Sequence, residues 1–279
     1  MPLVCGALAL TGCSGTGFLN ALTPRDGYSL DAGVRYGDGP RRLLDVYTPA
    51  AANGTTPTLI FFYGGSWQTG ERQEYRFVGQ AFAAKGYRVV IPDYRLYPEV
   101  RYPTFLEDAA AAVAWAARTA DEGAPIFLVG HSAGAYNAAM LALDPRWLAS
   151  VGLSRRAIEG VATLAGPFDF LPLEDPDLMA IFGPMDERPK TQPIAYVDGA
   201  APPMLLLTGD ADDTVYPRNS IRLAAAIEAA GGQVAFKQYP GLGHLRIVGA
   251  LAKPTRFLGP VRDDIVNYFR SISSPEASR

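Results

Sequence analysis

The sequence predicts an α/β fold, a mostly parallel central sheet of about eight strands with helices on both faces. Three observations lead there. Short apolar runs alternate with stretches of helical spacing from Tyr28 onward. Several runs, Thr58–Tyr63 and Ile126–Val129 among them, are apolar without a break, as strands covered on both faces are. The glycines, serine, acids and histidine able to do chemistry fall just after such runs, at the strand ends where ligands bind on parallel sheets. At 279 residues, 48% hydrophobic and 19% charged, the chain has the material for one large domain with a substantial core.

Taken in order, Tyr28–Tyr36 and Arg41–Tyr47 read as strands joined by the turn Gly37-Asp38-Gly39-Pro40. Thr58–Tyr63 is a buried strand. Glu74–Lys85 has helical spacing and stops at Gly86, a residue suited to the position after a helix. Tyr87–Ile91 is the next strand. Pro103 opens a helix through Trp115, and the alanine-rich Ala109–Ala120 reads as helix instead of linker. Ile126–Val129, Ile158–Leu164 and Met204–Leu207 are further strands. A Pro-rich insertion, residues 166–203, separates the last two, with Leu178–Phe182 as a short lid helix. Ser220–Ala230 is a helix closed by Gly231-Gly232, Val234–Tyr239 the last strand, and Pro260–Ser271 the closing helix.

A net charge of -3 and a pI near 5.5, with no basic run, give no electrostatic case for nucleic acid. Both cysteines, Cys5 and Cys13, stand in the first thirteen residues, so the body of the chain has no disulfide framework, thiol nucleophile or cysteine metal site. With only two histidines, a multi-histidine metal centre is disfavoured too, which leaves serine chemistry. Met1–Gly12 is short, apolar and rich in small residues, like the end of a secretory signal. Leu10-Thr11-Gly12-Cys13 resembles the lipobox of bacterial lipoproteins. Residues 1–27 are therefore expected to be a signal-like segment and tether, with Cys13 lipidated and the protein exported to the cell envelope. Residues 28–279 form the folded domain. A soluble cytoplasmic protein with a frayed apolar tail is the alternative.

Gly130-His131-Ser132-Ala133-Gly134 arrives directly off Ile126–Val129 and precedes a helix-forming stretch, the context a nucleophile elbow requires. Ser132 needs a base, and adjacency to it at a sharp turn disqualifies His131, which is expected to orient the turn or pack beneath it. His244, in the glycine-rich loop Pro240–His244 after a strand, is then the candidate base. A carboxylate must hold that histidine. Asp210, Asp212 and Asp213 follow a strand; Asp210 leaves it too early, Asp212 is the choice, and Asp213 is the alternative or caps the helix beginning near Pro217. Oxyanion donors are expected from the backbone N–H of Ala133 and from Tyr63-Gly64-Gly65-Ser66-Trp67.

With these residues in place, the chain resembles the α/β-hydrolase serine esterases that carry an H-G-G-x-W or H-G-G-G loop: carboxylesterases, the hormone-sensitive-lipase-like group, feruloyl esterases and kynurenine formamidases. Asp93-Tyr94-Arg95-Leu96-Tyr97-Pro98-Glu99 is similar to their D-Y-R-L-A-P-E segment, Tyr102–Asp108 to the following helix start, and Gly209–Val215 to their acid loop, which favours Asp212. One position departs from the pattern. Tyr63 replaces the loop histidine, and its hydroxyl is expected to brace the loop in the same way. The resemblance implies a Ser132–His244–Asp212 triad, an oxyanion hole of Gly65, Ser66 and Ala133, and no cofactor or metal. Trp67, Tyr136 and Phe168, with Phe170 and Phe182, are the candidate pocket. Short-chain carboxylic esters are the first expectation, with phenolic esters and polyesters behind them. An arylformamidase-type amide hydrolase and a catalytically silent binding module are the rivals.

Overall fold

The computed structural model describes residues 15–273, so Met1–Gly12 and Cys13 lie outside the described residues. In chain order come α1 (Gly15–Ala21), β1 (Tyr28–Arg35), β2 (Leu43–Pro49), β3 (Thr58–Phe62), α2 (Arg76–Ala83), β4 (Arg88–Pro92), α3 (Thr104–Thr119) and β5 (Ile126–His131). They are followed by α4 (Ala133–Leu143), α5 (Pro145–Ala149), β6 (Gly160–Leu164), α6 (Pro176–Phe182), β7 (Met204–Gly209), α7 (Arg218–Ala229), β8 (Val234–Tyr239), α8 (His244–Gly249) and α9 (Val261–Ile272). The eight strands form one sheet in the order β1-β2-β4-β3-β5-β6-β7-β8. β2 is antiparallel to β1 and β4, and every other pairing is parallel.

Alternation along the strands splits the core into two layers, because successive side chains point to opposite faces. Leu59, Phe61, Phe127, Val129, Leu205 and Leu207 go to one face, where α2 and α9 supply Phe77, Phe82, Ile265 and Phe269. Ile60, Phe62, Leu128, Met204 and Leu206 go to the other, under α3, α4 and α7. The alanines of α3 explain its place. Ala109, Ala112 and Ala116 are buried and short, so α3 packs closely beside α4 and over the sheet.

The departures from sequence expectation are local. A 3-10 turn, Arg72–Tyr75, precedes α2, so the helix expected from Glu74 begins at Arg76. α3 runs on past Trp115 to Thr119. Within 166–203 the helix is Pro176–Phe182, started by Pro176 and by the Asp175 side chain, which accepts from the N–H groups of Asp177 and Leu178. α7 carries no side-chain cap, so Asp213 does not have the capping role considered for it. No helix among the described residues is long and apolar enough to cross a membrane.

Candidate active site

Register brings the carboxyl ends of the parallel strands into line: Phe62 pairs with Gly130, His131 with Leu164, and Gly209 with Tyr239. Ser132 sits immediately past β5 with φ 55° and ψ -123°, a backbone region that costs a non-glycine residue about 1–3 kcal/mol. Two close approaches hold it there. A Cβ on Gly130 would lie 2.2 Å from the Gly134 carbonyl oxygen, and one on Gly134 only 2.1 Å from that of Phe62. The glycines are thus required by close packing of α4 on the sheet. The Ser132 N–H donates to the Leu164 carbonyl (2.9 Å), fastening the turn to β6.

His244 arrives from beyond the edge strand β8. A Cβ on Gly209 would fall 1.9 Å from the Leu242 carbonyl oxygen, so the loops after β7 and β8 lie against each other. His244 is the first residue of α8, a correction to its expected place in a loop: Gly243 ends the loop and the next six residues close into a helix. Its Nδ1 is 2.9 Å from Asp212 Oδ2 and its Nε2 2.8 Å from Ser132 Oγ. A carboxylate can only accept, so Nδ1 carries the hydrogen, Nε2 presents a lone pair, and the Ser132 hydroxyl donates to it. Asp212 Oδ1 accepts from the N–H groups of Thr214 (3.0 Å) and Val215 (2.8 Å). Burial alone would raise the Asp212 pKa, but the hydrogen bonds from His244 and Val215 outweigh it and hold the carboxyl below its ordinary value. Asp210 instead accepts from the Gly241 N–H (2.6 Å), and Asp213 is exposed.

His131 packs beneath this pair, as expected for it. It is buried, and its Nε2 lies 3.0 Å from the His244 carbonyl oxygen, so Nε2 donates and the ring pins the start of α8. Burial, reinforced by the neighbouring His244, lowers its pKa to about 3.

Tyr63 braces the glycine loop from below. Its hydroxyl donates to Asp93 Oδ1 (2.8 Å) and accepts from Arg41 (2.9 Å), while Arg41 also donates to the Gly70 carbonyl (2.6 Å). Arg72 bridges Asp93 and Asp45, and the Tyr63 ring is stacked between Tyr75 and Tyr94. The D-Y-R segment therefore has a structural meaning: Asp93 anchors the loop, and Arg95 is gripped by the fully buried Asp108 of α3. Above the brace, Gly65, Ser66 and Trp67 all have positive φ (123°, 53° and 59°).

Ser132 opens on a cavity of about 530 Å³. Ser66, Trp67 and Ala133 line it beside the serine; Gly65 does not, and its carbonyl is engaged by the N–H groups of Gln68 and Thr69. Trp67 lines it as expected, with its indole N–H donating to Asn137 of α4 (3.2 Å). Three other pocket expectations are corrected, the first being Phe182, which is buried edge-on against Trp67 and Phe105 and does not line the cavity. Tyr136 is fully buried behind Trp67, because its hydroxyl finds the Thr191 carbonyl (2.6 Å). Phe168 turns into the core layer under α7, where it meets Gly166 and Ala135, and Phe170 faces the cavity instead. Leu173 and Leu178 from the insertion, Val215 and Tyr216 from the acid loop, and Arg218 at the start of α7 extend the walls. Their sequence signal was proximity to Asp212 and to the lid helix. Among the described residues no group of three or more His, Cys, Asp or Glu is gathered as a metal site.

Comparison with known proteins agrees with this architecture. Residues 44–227 match the BD-FAE family model. Esterase LipC of Mycobacterium tuberculosis is 29% identical over 236 residues, 76% of this chain and 58% of that protein. The kynurenine formamidase of Danio rerio is 25% identical over 224 residues, 78% of this chain and 75% of its own length. A truncated carbohydrate esterase from gut microbiota superposes with a TM-score of 0.79 at 21% identity, covering 90% of this chain and 99% of that one, a likeness of fold. The chain spans less than two thirds of the length of LipC. With the family model matching most of the folded part, the chain belongs to the BD-FAE family, on an α/β-hydrolase fold.

Proposed function

We propose that this chain is a serine hydrolase of carboxylic esters, short-chain acyl esters first, working through an acyl-enzyme intermediate. The observation that carries the reading is the unbroken line of hydrogen bonds from Ser132 through His244 to Asp212, opening on a cavity walled by both apolar and polar side chains. As Oγ attacks the ester carbonyl carbon, its proton passes to His244 Nε2. Asp212, whose carboxyl is held, despite burial, below its ordinary value by His244 and Val215, stabilises the imidazolium. The N–H groups of Ser66 and Ala133, with Gly65 behind them, receive the developing oxyanion, and losing one such donor typically costs about 3–4 kcal/mol. His244 then gives its proton to the leaving alcohol, takes one from water, and the resulting hydroxide releases the acid.

The test is labelling by a fluorophosphonate probe. Wild-type protein should label and Ser132→Ala should not; an unlabelled wild type, under conditions that label a control esterase, sinks the proposal. The second reading, an arylformamidase-type amide hydrolase, is favoured by one observation: the relative named kynurenine formamidase is aligned over 75% of its own length. Faster turnover of N-formylkynurenine than of p-nitrophenyl butyrate would decide for it.

We also propose that Cys13, outside the described residues, carries a lipid anchor that tethers the protein to the cell envelope. The lipobox-like Leu10–Cys13 supports this. In a bacterial host, Cys13→Ser should move the protein from the membrane fraction to the soluble one, and an identical distribution of both forms removes the claim.

A further inference from the structure

Charge is sparse in the cavity beside Ser132. Among the described residues that line it, Arg218 is the one cation and Glu174 the one acid. No carboxylate lies within 4.0 Å of the Arg218 guanidinium among the described residues, whereas Arg222, one turn along α7, is engaged by Asp169 (2.8 Å). Arg218, itself exposed, has one ring contact that orients it. Its guanidinium lies over the Tyr216 ring, 4.8 Å from the centroid, and its backbone is the first residue of α7. Both side chains are exposed, but Glu174 stands on the irregular stretch before α6 and has no hydrogen-bond, ion-pair or ring partner among the described residues. An oriented cation without a counter-ion, on the wall of a cavity, offers more to an anion than an unsupported acid offers to a cation. Arginine suits the task because its planar fork matches a carboxylate in two parallel hydrogen bonds.

From this we infer that Arg218 is a specificity-determining residue that selects esters bearing an anionic group, such as the half-esters of dicarboxylic acids or esters of carboxylated alcohols. The inference rests on the ester-hydrolase reading and names the substrate class of the same site. Glu174 opposes the preference, and its removal should sharpen it.

The experiment compares kcat/KM for p-nitrophenyl butyrate with that for p-nitrophenyl hemisuccinate, which puts the anion on the acyl side. In parallel it compares phenyl butyrate with 4-carboxyphenyl butyrate, which puts the anion on the alcohol side. Dividing variant by wild type for each ester cancels intrinsic reactivity. Arg218→Gln should lower the anionic-to-neutral ratio on one side by about fivefold or more, and Arg218→Glu should lower it further. Glu174→Gln should raise the ratio, and Arg222→Gln should leave it alone. Salt at about 0.5 M should erode the wild-type preference, since exposed charges are screened over a few ångströms there. A ratio moving less than twofold in Arg218→Gln, for both pairs, overturns the inference while neutral-ester turnover leaves the hydrolase reading standing. If no ester is turned over, the hydrolase reading is the one that fails. Binding then decides the inference: monomethyl succinate should bind Ser132→Ala at least about fivefold more tightly than the Ser132→Ala, Arg218→Gln double variant. Equal affinities would overturn it.

Discussion

Asp210, Asp212 and Asp213 are chemically alike and differ in what their backbone lets them reach. The turn after β7 gives Asp212 two backbone donors on one oxygen and His244 on the other, so both of its oxygens are engaged. Asp210 is committed to Gly241, in the loop that delivers His244. Asp213 faces solvent. Asp212→Asn should therefore lower kcat by a factor on the order of 10⁴, because an amide nitrogen facing Nδ1 favours the wrong tautomer. Asp210→Asn should keep most of the activity and lose about 1 kcal/mol of stability. Asp213→Asn should match wild type in both. Steady-state kinetics and thermal melts on the three variants check the ordering; a large kinetic defect in Asp213→Asn would reverse the assignment.

At the scale of elements, the loop after β3 carries strain above a rigid floor. Ser66 and Trp67 hold positive φ without being glycine, and beneath them buried Tyr63 and Asp93 form a polar cluster with the partly buried Arg41 and Arg72. Tyr63→Phe deletes the donor to Asp93 and the acceptor for Arg41 while keeping the ring stack. Leaving such groups unsatisfied costs about 1–3 kcal/mol. The variant should melt lower by that amount and lose kcat through a looser loop, more than it gains in KM. Wild-type kcat in a destabilised Tyr63→Phe would show that the floor serves stability alone. Sequence made this element legible only in part. Tyr63 was readable as a brace, since a hydroxyl can both donate and accept. Which of Gly65 and Ser66 reaches the cavity was not readable, because that depends on a turn closed by Gln68 and Thr69. Tyr136 and Phe168 depart from the sequence expectation for a similar reason. Aromatic residues near a nucleophile face the cavity or the core according to a distant partner, here the Thr191 carbonyl for one and Gly166 for the other. Short helices such as α5 and α8 were invisible because packing, more than propensity, sustains elements of five or six residues. The long parallel strands were legible, since burial on both faces leaves uninterrupted apolar runs.

Across the whole molecule, one buried ring couples the site to acid stability. His131 is neutral when folded, with its pKa lowered from 6.5 to about 3 by burial and by His244 beside it. A base whose protonation folding suppresses contributes its full stability above the unfolded value and loses it as pH falls from 6.5 toward 3. This ring alone should remove about 2 kcal/mol of unfolding free energy between about pH 7 and pH 5. Denaturant melts at those two pH values should show a smaller loss in His131→Gln; an equal loss in both proteins would place the acid sensitivity elsewhere.

The sheet order has a consequence for timing. Ser132 and the base that serves it are 112 residues apart, and they meet only after β8 has docked on the far edge and brought its loop against that of β7. A chain emerging from the ribosome completes the elbow long before it completes the relay, so a half-made protein carries a serine without a base. On the proposed mechanism, hydrolysis would start only once β8 has closed the sheet, and its onset would time that step.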